Sequence, residues 1–80
     1  MRVDKYLKNS RLIKRRTVAK EACEHGRVSI NGNAAKPGTE VKVGDVLLIQ
    51  FGNRQMQVKI KEIYEAPKKD EASGMYDIME

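Results

Sequence analysis

The stretch Thr17-Val18-Ala19-Lys20-Glu21-Ala22-Cys23-Glu24-His25-Gly26-Arg27-Val28-Ser29-Ile30-Asn31-Gly32 holds a helix, its stop signal, a strand and a hairpin turn in immediate succession. Val18, Ala19, Ala22 and Cys23 fall on one apolar stripe at helical spacing, and Thr17 offers an N-cap hydroxyl. Gly26 predicts the end of that helix, because it enters the left-handed conformation without the steric cost of a Cβ. Val28 and Ile30 alternate with Ser29, and Asn31-Gly32 suits the two positive-φ positions of a tight β-turn. A helix that runs straight into a hairpin predicts an α+β fold.

Outward from that stretch the same rules apply. Val3, Tyr6 and Leu7 predict a short amphipathic helix over Val3–Asn9, with Asp4 suited to its dipole and one turn before Lys8. The connector Ser10–Arg16 joins the apolar pair Leu12-Ile13 to the cluster Lys14-Arg15-Arg16. Helices this short do not persist alone, so they must pack on each other and on a small antiparallel sheet. Downstream, Ala35-Lys36-Pro37-Gly38 reads as a loop and Val41 with Val43 as a short extended piece. Gly44-Asp45 reads as a turn that launches the apolar run Val46 to Ile49 with Phe51, the most buried strand. Gly52-Asn53 reverses the chain into Met56, Val58 and Ile60, which alternate with polar residues as a half-exposed strand does. Ile63 breaks that parity and predicts a bulge near Lys61-Glu62. A domain of residues 1–65 is therefore expected, followed by a mobile acidic tail over 66–80. Within the tail, Met75, Tyr76, Ile78 and Met79 leave two readings open, a docking segment or an unstructured end.

Charge separates the chain into two parts. Residues 1–27 carry nine Lys and Arg against three acids, whereas the remaining residues carry seven against eight. Such one-sided charge concentrates a polyanion on one surface and leaves the rest neutral enough to pack. Between Arg11 and Lys20 the positives stand with no acid among them, and their mutual repulsion is relieved by a phosphate backbone, which also releases condensed counterions. Arg2, Lys5, Lys8, Arg11, Lys14, Arg15, Arg16, Lys20 and Arg27 are the candidate RNA-binding side chains. Thr17 joins them, since a helix start presents free amides and a hydroxyl to phosphate; capping alone is its other reading. With few aromatic residues for stacking single strands, folded RNA is the favoured target.

Catalysis finds little support. An 80-residue chain builds only a thin core, and it holds one His, one Cys and no Gly-rich phosphate loop. His25 reads as a helix C-terminal residue, Cys23 as a small buried hydrophobe and Asp45 as a turn former. Tyr6 and Tyr64 read as core residues from their spacing with neighbouring apolar positions. No enzyme activity, metal or cofactor is expected. No apolar run approaches the length of a signal sequence or membrane span, so a cytoplasmic location without a membrane partner is expected.

The motifs Arg2-Val3-Asp4-Lys5-Tyr6-Leu7, Lys14-Arg15-Arg16-Thr17 with Ala19, Gly26-Arg27-Val28-Ser29-Ile30-Asn31-Gly32, Lys36-Pro37 and Gly44-Asp45 stand in the order of a known family. Over roughly residues 1–51 the chain resembles the RNA-binding domain named after small-subunit ribosomal protein S4. Its free-standing character resembles the heat-shock-protein-fifteen family and, more closely in Leu7–Thr17 and the Met75-Tyr76 tail, the RqcP family of ribosome quality control factors. That resemblance implies two helices on a small antiparallel sheet with an L-shaped connection, and binding through the basic helical surface, Arg2 and Arg16 foremost. It further implies large-subunit rRNA and peptidyl-tRNA as partners on obstructed large ribosomal subunits. A monomer would there support a NEMF/Rqc2-type tailing factor in C-terminal alanine tailing. Val3 stands where the family more commonly has Leu, a conservative apolar change. Other readings are a protein-interaction module, a non-catalytic RNA-binding subunit of an RNA-modifying enzyme, and recycling of aborted large subunits. A DNA-reading helix-turn-helix is disfavoured, because the second helix has too few free polar residues to read base edges.

Overall fold

The computed structural model describes residues 1–79. Two helices, α1 (Val3–Asn9) and α2 (Arg16–Glu24), lead into β1 (Val28–Ile30), β2 (Asn33–Ala34), β3 (Val46–Phe51) and β4 (Arg54–Ile60). A four-residue helix α3 (Lys69–Ala72), a 3-10 turn (Ser73–Met75) and β5 (Tyr76–Met79) follow. The strands form one antiparallel sheet in the order β2-β1-β3-β4-β5, which confirms the α+β class. Among the described residues no helix is long and apolar enough to cross a membrane.

The punctuation read from the sequence is what shapes the chain. At the end of α2, Gly26 adopts φ +71° while the Arg27 amide donates to the Ala22 carbonyl at 2.9 Å, so the freed carbonyls of the last turn are satisfied. Asn31 and Gly32, at φ +50° and +86°, make the hairpin between β1 and β2. Asn31 is held by its side chain, which accepts from the Val46 amide at 2.9 Å and donates to Asp45 at 3.1 Å. Asp45 is indeed a turn residue, its second oxygen accepting from the Lys42 amide at 2.9 Å.

One core lies between the helices and the sheet. Val3, Tyr6, Leu7, Ala19 and Cys23 come from the helices and meet Val28, Ile30, Leu47, Ile49, Val58 and Ile60. Burial pushes the Cys23 thiol up to about 11, with Asp4 and Glu24 adding to the effect, so it is a packed hydrophobe. Several expectations need correction. Phe51 is 38% exposed, because the helical layer ends before it. Tyr64 lies on the surface, and Val18 is exposed at the outer edge of the α2 stripe. Thr17 is not the cap: α2 begins at Arg16, Arg15 occupies the extended N-cap position, and no side chain caps it.

The larger correction concerns the expected mobile tail, whose last residue lies outside the described residues. Residues 69–79 pack on the same sheet, with Ala72 and Met75 buried and β5 paired along β4 from Tyr76 opposite Ile60 to Met79 opposite Gln57. The Met75 carbonyl gathers three donors: the buried Tyr6 hydroxyl at 2.8 Å and the amides of Lys61 and Glu62 at 2.8 and 3.1 Å. Two amides on one carbonyl is the two-against-one pattern of the expected bulge. The acidic composition concealed these elements because only one side of a short turn is buried, too little apolar surface to shift an average over fifteen residues.

Candidate nucleic-acid interface

The basic surface begins with the way α1 ends. Buried Ser10 donates its hydroxyl to the Leu7 carbonyl at 3.2 Å, the Arg11 amide donates to Lys8 at 3.0 Å, and the Ile13 amide donates to Leu7 at 3.0 Å. Closing this corner puts Arg11 at φ +63°, a left-handed position that glycine usually fills. Ile13 is buried and anchors the connector to the core, so Lys14, Arg15 and Arg16 emerge on the outside.

Asp4 organises what they emerge beside. Its carboxylate is 3% exposed and accepts the Lys5 amide at 2.8 Å. It also lies 3.1 Å from an Arg2 guanidinium nitrogen and 3.5 Å from one of Arg16. One buried anion thus holds two guanidinium groups, each about half exposed, at the junction of α1 and α2. Only one nitrogen of each is used in these contacts, and with each side chain about half exposed, further N–H groups are left that can fork onto phosphate. The loop 36–40 supports this arrangement from below: the Val3 and Asp4 amides donate to the carbonyls of Thr39 and Pro37 at 2.8 and 3.3 Å. These carbonyls occupy amides at the start of α1 that would otherwise be open to an anion. Asp4 faces the arginines and not Lys8 as its spacing suggested. The signal that pointed to its role is its isolation, since it is the sole acid in the first twenty residues.

The remaining candidates divide into groups. Lys8, Arg11, Lys14, Arg15, Lys20 and Arg27 are exposed and form no ion pair among the described residues. Thr17 is exposed on the first turn of α2. Lys5 differs, because it is partly buried and paired with Glu65 at 2.6 Å, a contact that draws the Glu65 carboxyl below its ordinary range. Asn9 reinforces the same strap by donating to the carbonyls of Tyr64 and Glu65, both at 3.1 Å. Between the strap and the connector lies a cleft of about 610 Å³ edged by Lys8, Arg11 and Lys14. The ensemble offers a charged, hydrogen-bonding surface suited to a phosphate backbone.

The S4 domain family matches residues 1–47. The RQC P-site tRNA stabilizing factor of Halalkalibacterium halodurans is 56% identical over 78 residues, covering 98% of this chain and 89% of that protein. The chain belongs to this family of S4-domain proteins. The factor of the same name from Listeria innocua is 58% identical over 79 residues, covering 99% of this chain and 86% of the relative. Among solved structures, the Heat Shock Protein 15 of Vibrio cholerae, described as trimeric, superposes with a TM-score of 0.90 at 30% identity. That likeness covers 99% of this chain and 81% of the other. The S4 match takes in α1, α2 and the β1–β2 hairpin, and so every candidate RNA-binding residue, while β4, α3 and β5 lie beyond it.

Proposed function

We propose that this chain is a non-catalytic, cytoplasmic RNA-binding factor of the large ribosomal subunit. It holds large-subunit rRNA and peptidyl-tRNA on obstructed subunits, and as a monomer it assists a NEMF/Rqc2-type factor in adding a C-terminal alanine tail to the stalled chain. The observation that carries the reading is the pair Arg2 and Arg16 fixed on Asp4 beside Lys8, Arg11, Lys14, Arg15 and Lys20. Among the described residues their positive charge has no partner beyond that one carboxylate, and a polyphosphate supplies it. The membership in the family of RQC P-site tRNA stabilizing factors supports the ribosomal setting.

Co-sedimentation of the tagged protein on sucrose gradients of cell lysate, with tRNA and nascent chain probed in each fraction, tests this. Enrichment on free large subunits that carry peptidyl-tRNA with alanine-tailed chains is expected. A profile confined to the top of the gradient at low salt overturns the ribosomal assignment. The likeness to Heat Shock Protein 15 favours a second reading, recycling of aborted large subunits. The same gradients separate the two, since recycling alone leaves the chains without added alanine.

A further inference from the structure

Strand β3 sets Leu47, Ile49 and Phe51 on one face by its two-residue period. The helical layer covers the first two completely and stops short of the third, so the Phe51 ring is 38% exposed. Next to it Val18 of α2 is 47% exposed, with Leu12 and Ala22 half-buried. These side chains line a groove of about 440 Å³ whose rim carries Lys14 and Arg27 and whose lining includes no acid. The groove beside the β1–β2 hairpin, about 390 Å³, is instead lined by two acids, Glu40 and Asp45, with Lys42 as its one cation.

We propose that the Phe51 groove receives one unpaired nucleotide of a folded RNA, its base against Phe51 and Val18 and its phosphate between Lys14 and Arg27. This rests on the RNA-binding reading above. An apolar protein side chain would leave the two cations without a counterpart, whereas a nucleotide brings a flat π-face and an anion as one unit. Lys14 also edges the cleft by the connector, so the groove continues the basic surface. The site explains how a chain with a single phenylalanine and few aromatics gains preference for a particular RNA shape: one ring reads one flipped base, and the cations hold the folded remainder.

The test uses the full chain and two fluorescent RNA hairpins of equal length, one fully paired and one with a single bulged adenosine. Wild type is expected to bind the bulged hairpin more tightly. Phe51→Ala is expected to weaken that complex roughly 5- to 160-fold, which corresponds to about 1–3 kcal/mol for one stacked base, and to leave the paired hairpin unaffected. Phe51→Tyr keeps the preference, and Val18→Glu, at an exposed helical position, removes it without touching the ring. Equal wild-type affinities, or a bulge preference that survives Phe51→Ala, overturns the groove assignment alone. Failure of wild type to bind either hairpin overturns the RNA reading, and the groove assignment with it.

Discussion

Asp4 stands 3.5 Å from Arg16 across the junction of the first two helices, and the same carboxylate reaches Arg2 at 3.1 Å. An acid inside the proposed phosphate-binding surface would oppose the ligand by Coulomb's law, so its presence there is explained by geometry and not by charge. Asp4→Asn raises the net charge from +5 to +6 and is nonetheless expected to weaken RNA binding, because the two guanidinium groups lose their common anchor. Loss of the charged hydrogen bond from Arg2 and of the ion pair with Arg16 should cost about 1–3 kcal/mol of stability. Titration of a labelled rRNA fragment, alongside urea unfolding, checks both; tighter binding by the variant would show that Asp4 does not position the arginines.

Single replacements Arg2→Ala and Arg16→Ala should each weaken subunit binding while the domain stays folded, since each leaves Asp4 one cationic partner. The double replacement strands a buried carboxylate and should also destabilise the fold, so the informative variant adds Asp4→Asn. About five phosphate contacts, at a slope near −0.8 each, lower affinity roughly 250-fold between 50 and 200 mM salt. Each lost arginine should flatten that slope by about 0.8 in the same titration, and an unchanged slope would place the RNA elsewhere.

Arg11→Gly should separate stability from binding. At φ +63° an arginine bears a backbone cost on the order of 1 kcal/mol that glycine avoids, while glycine abandons a charge on the edge of the basic cleft. Thermal unfolding should therefore move up or stay level as RNA affinity falls. A drop in both would mean that the arginine side chain itself holds the corner together.

Met75→Ala should cost about 2–5 kcal/mol in urea unfolding, the range for a fully buried methionine and far from the zero expected of a loose tail. Tyr6→Phe should cost only about 0.5–1.5 kcal/mol, since the Met75 carbonyl keeps its two amide donors when the hydroxyl is gone.

Cys23 predicts the alkaline behaviour. Its thiol is held up to about 11 against an ordinary 9.0, so the folded chain keeps the proton while the unfolded chain releases it. Stability is full below pH 9 and declines as pH rises toward about 11, and Cys23→Ala should soften that decline. Iodoacetamide at pH 8 should label the native thiol slowly and the guanidinium-unfolded thiol fast.

Local signals accounted for the elements whose causes are local. Val3–Asn9, the stop at Gly26, the Asn31-Gly32 hairpin and the Gly52 reversal each depend on a few adjacent residues, and each formed as read. Effects set by distant parts of the chain were not legible. Phe51 follows the strand period, but its exposure depends on where α2 ends overhead. Residues 69–79 look polar in composition, yet the Met75 backbone carbonyl is met by a Tyr6 hydroxyl sixty-nine positions earlier. The candidate basic residues could be named individually; that Arg2 and Arg16 converge while Lys5 is drawn aside by Glu65 depends on tertiary packing.

The helix that carries Lys8, with Arg2 at its N-cap, is fastened through Lys5, Tyr6 and Asn9 to residues 64, 65 and 75. Bringing those partners together encloses most of the chain in one loop, a closure whose entropy is recovered only when the last contacts form. Whatever grips the outer side of α1 also favours the closed chain over the open one by mass action. Bound RNA is then a clasp on the protein as much as a load carried by it, and the two ends of the chain stay joined for longer while it is held.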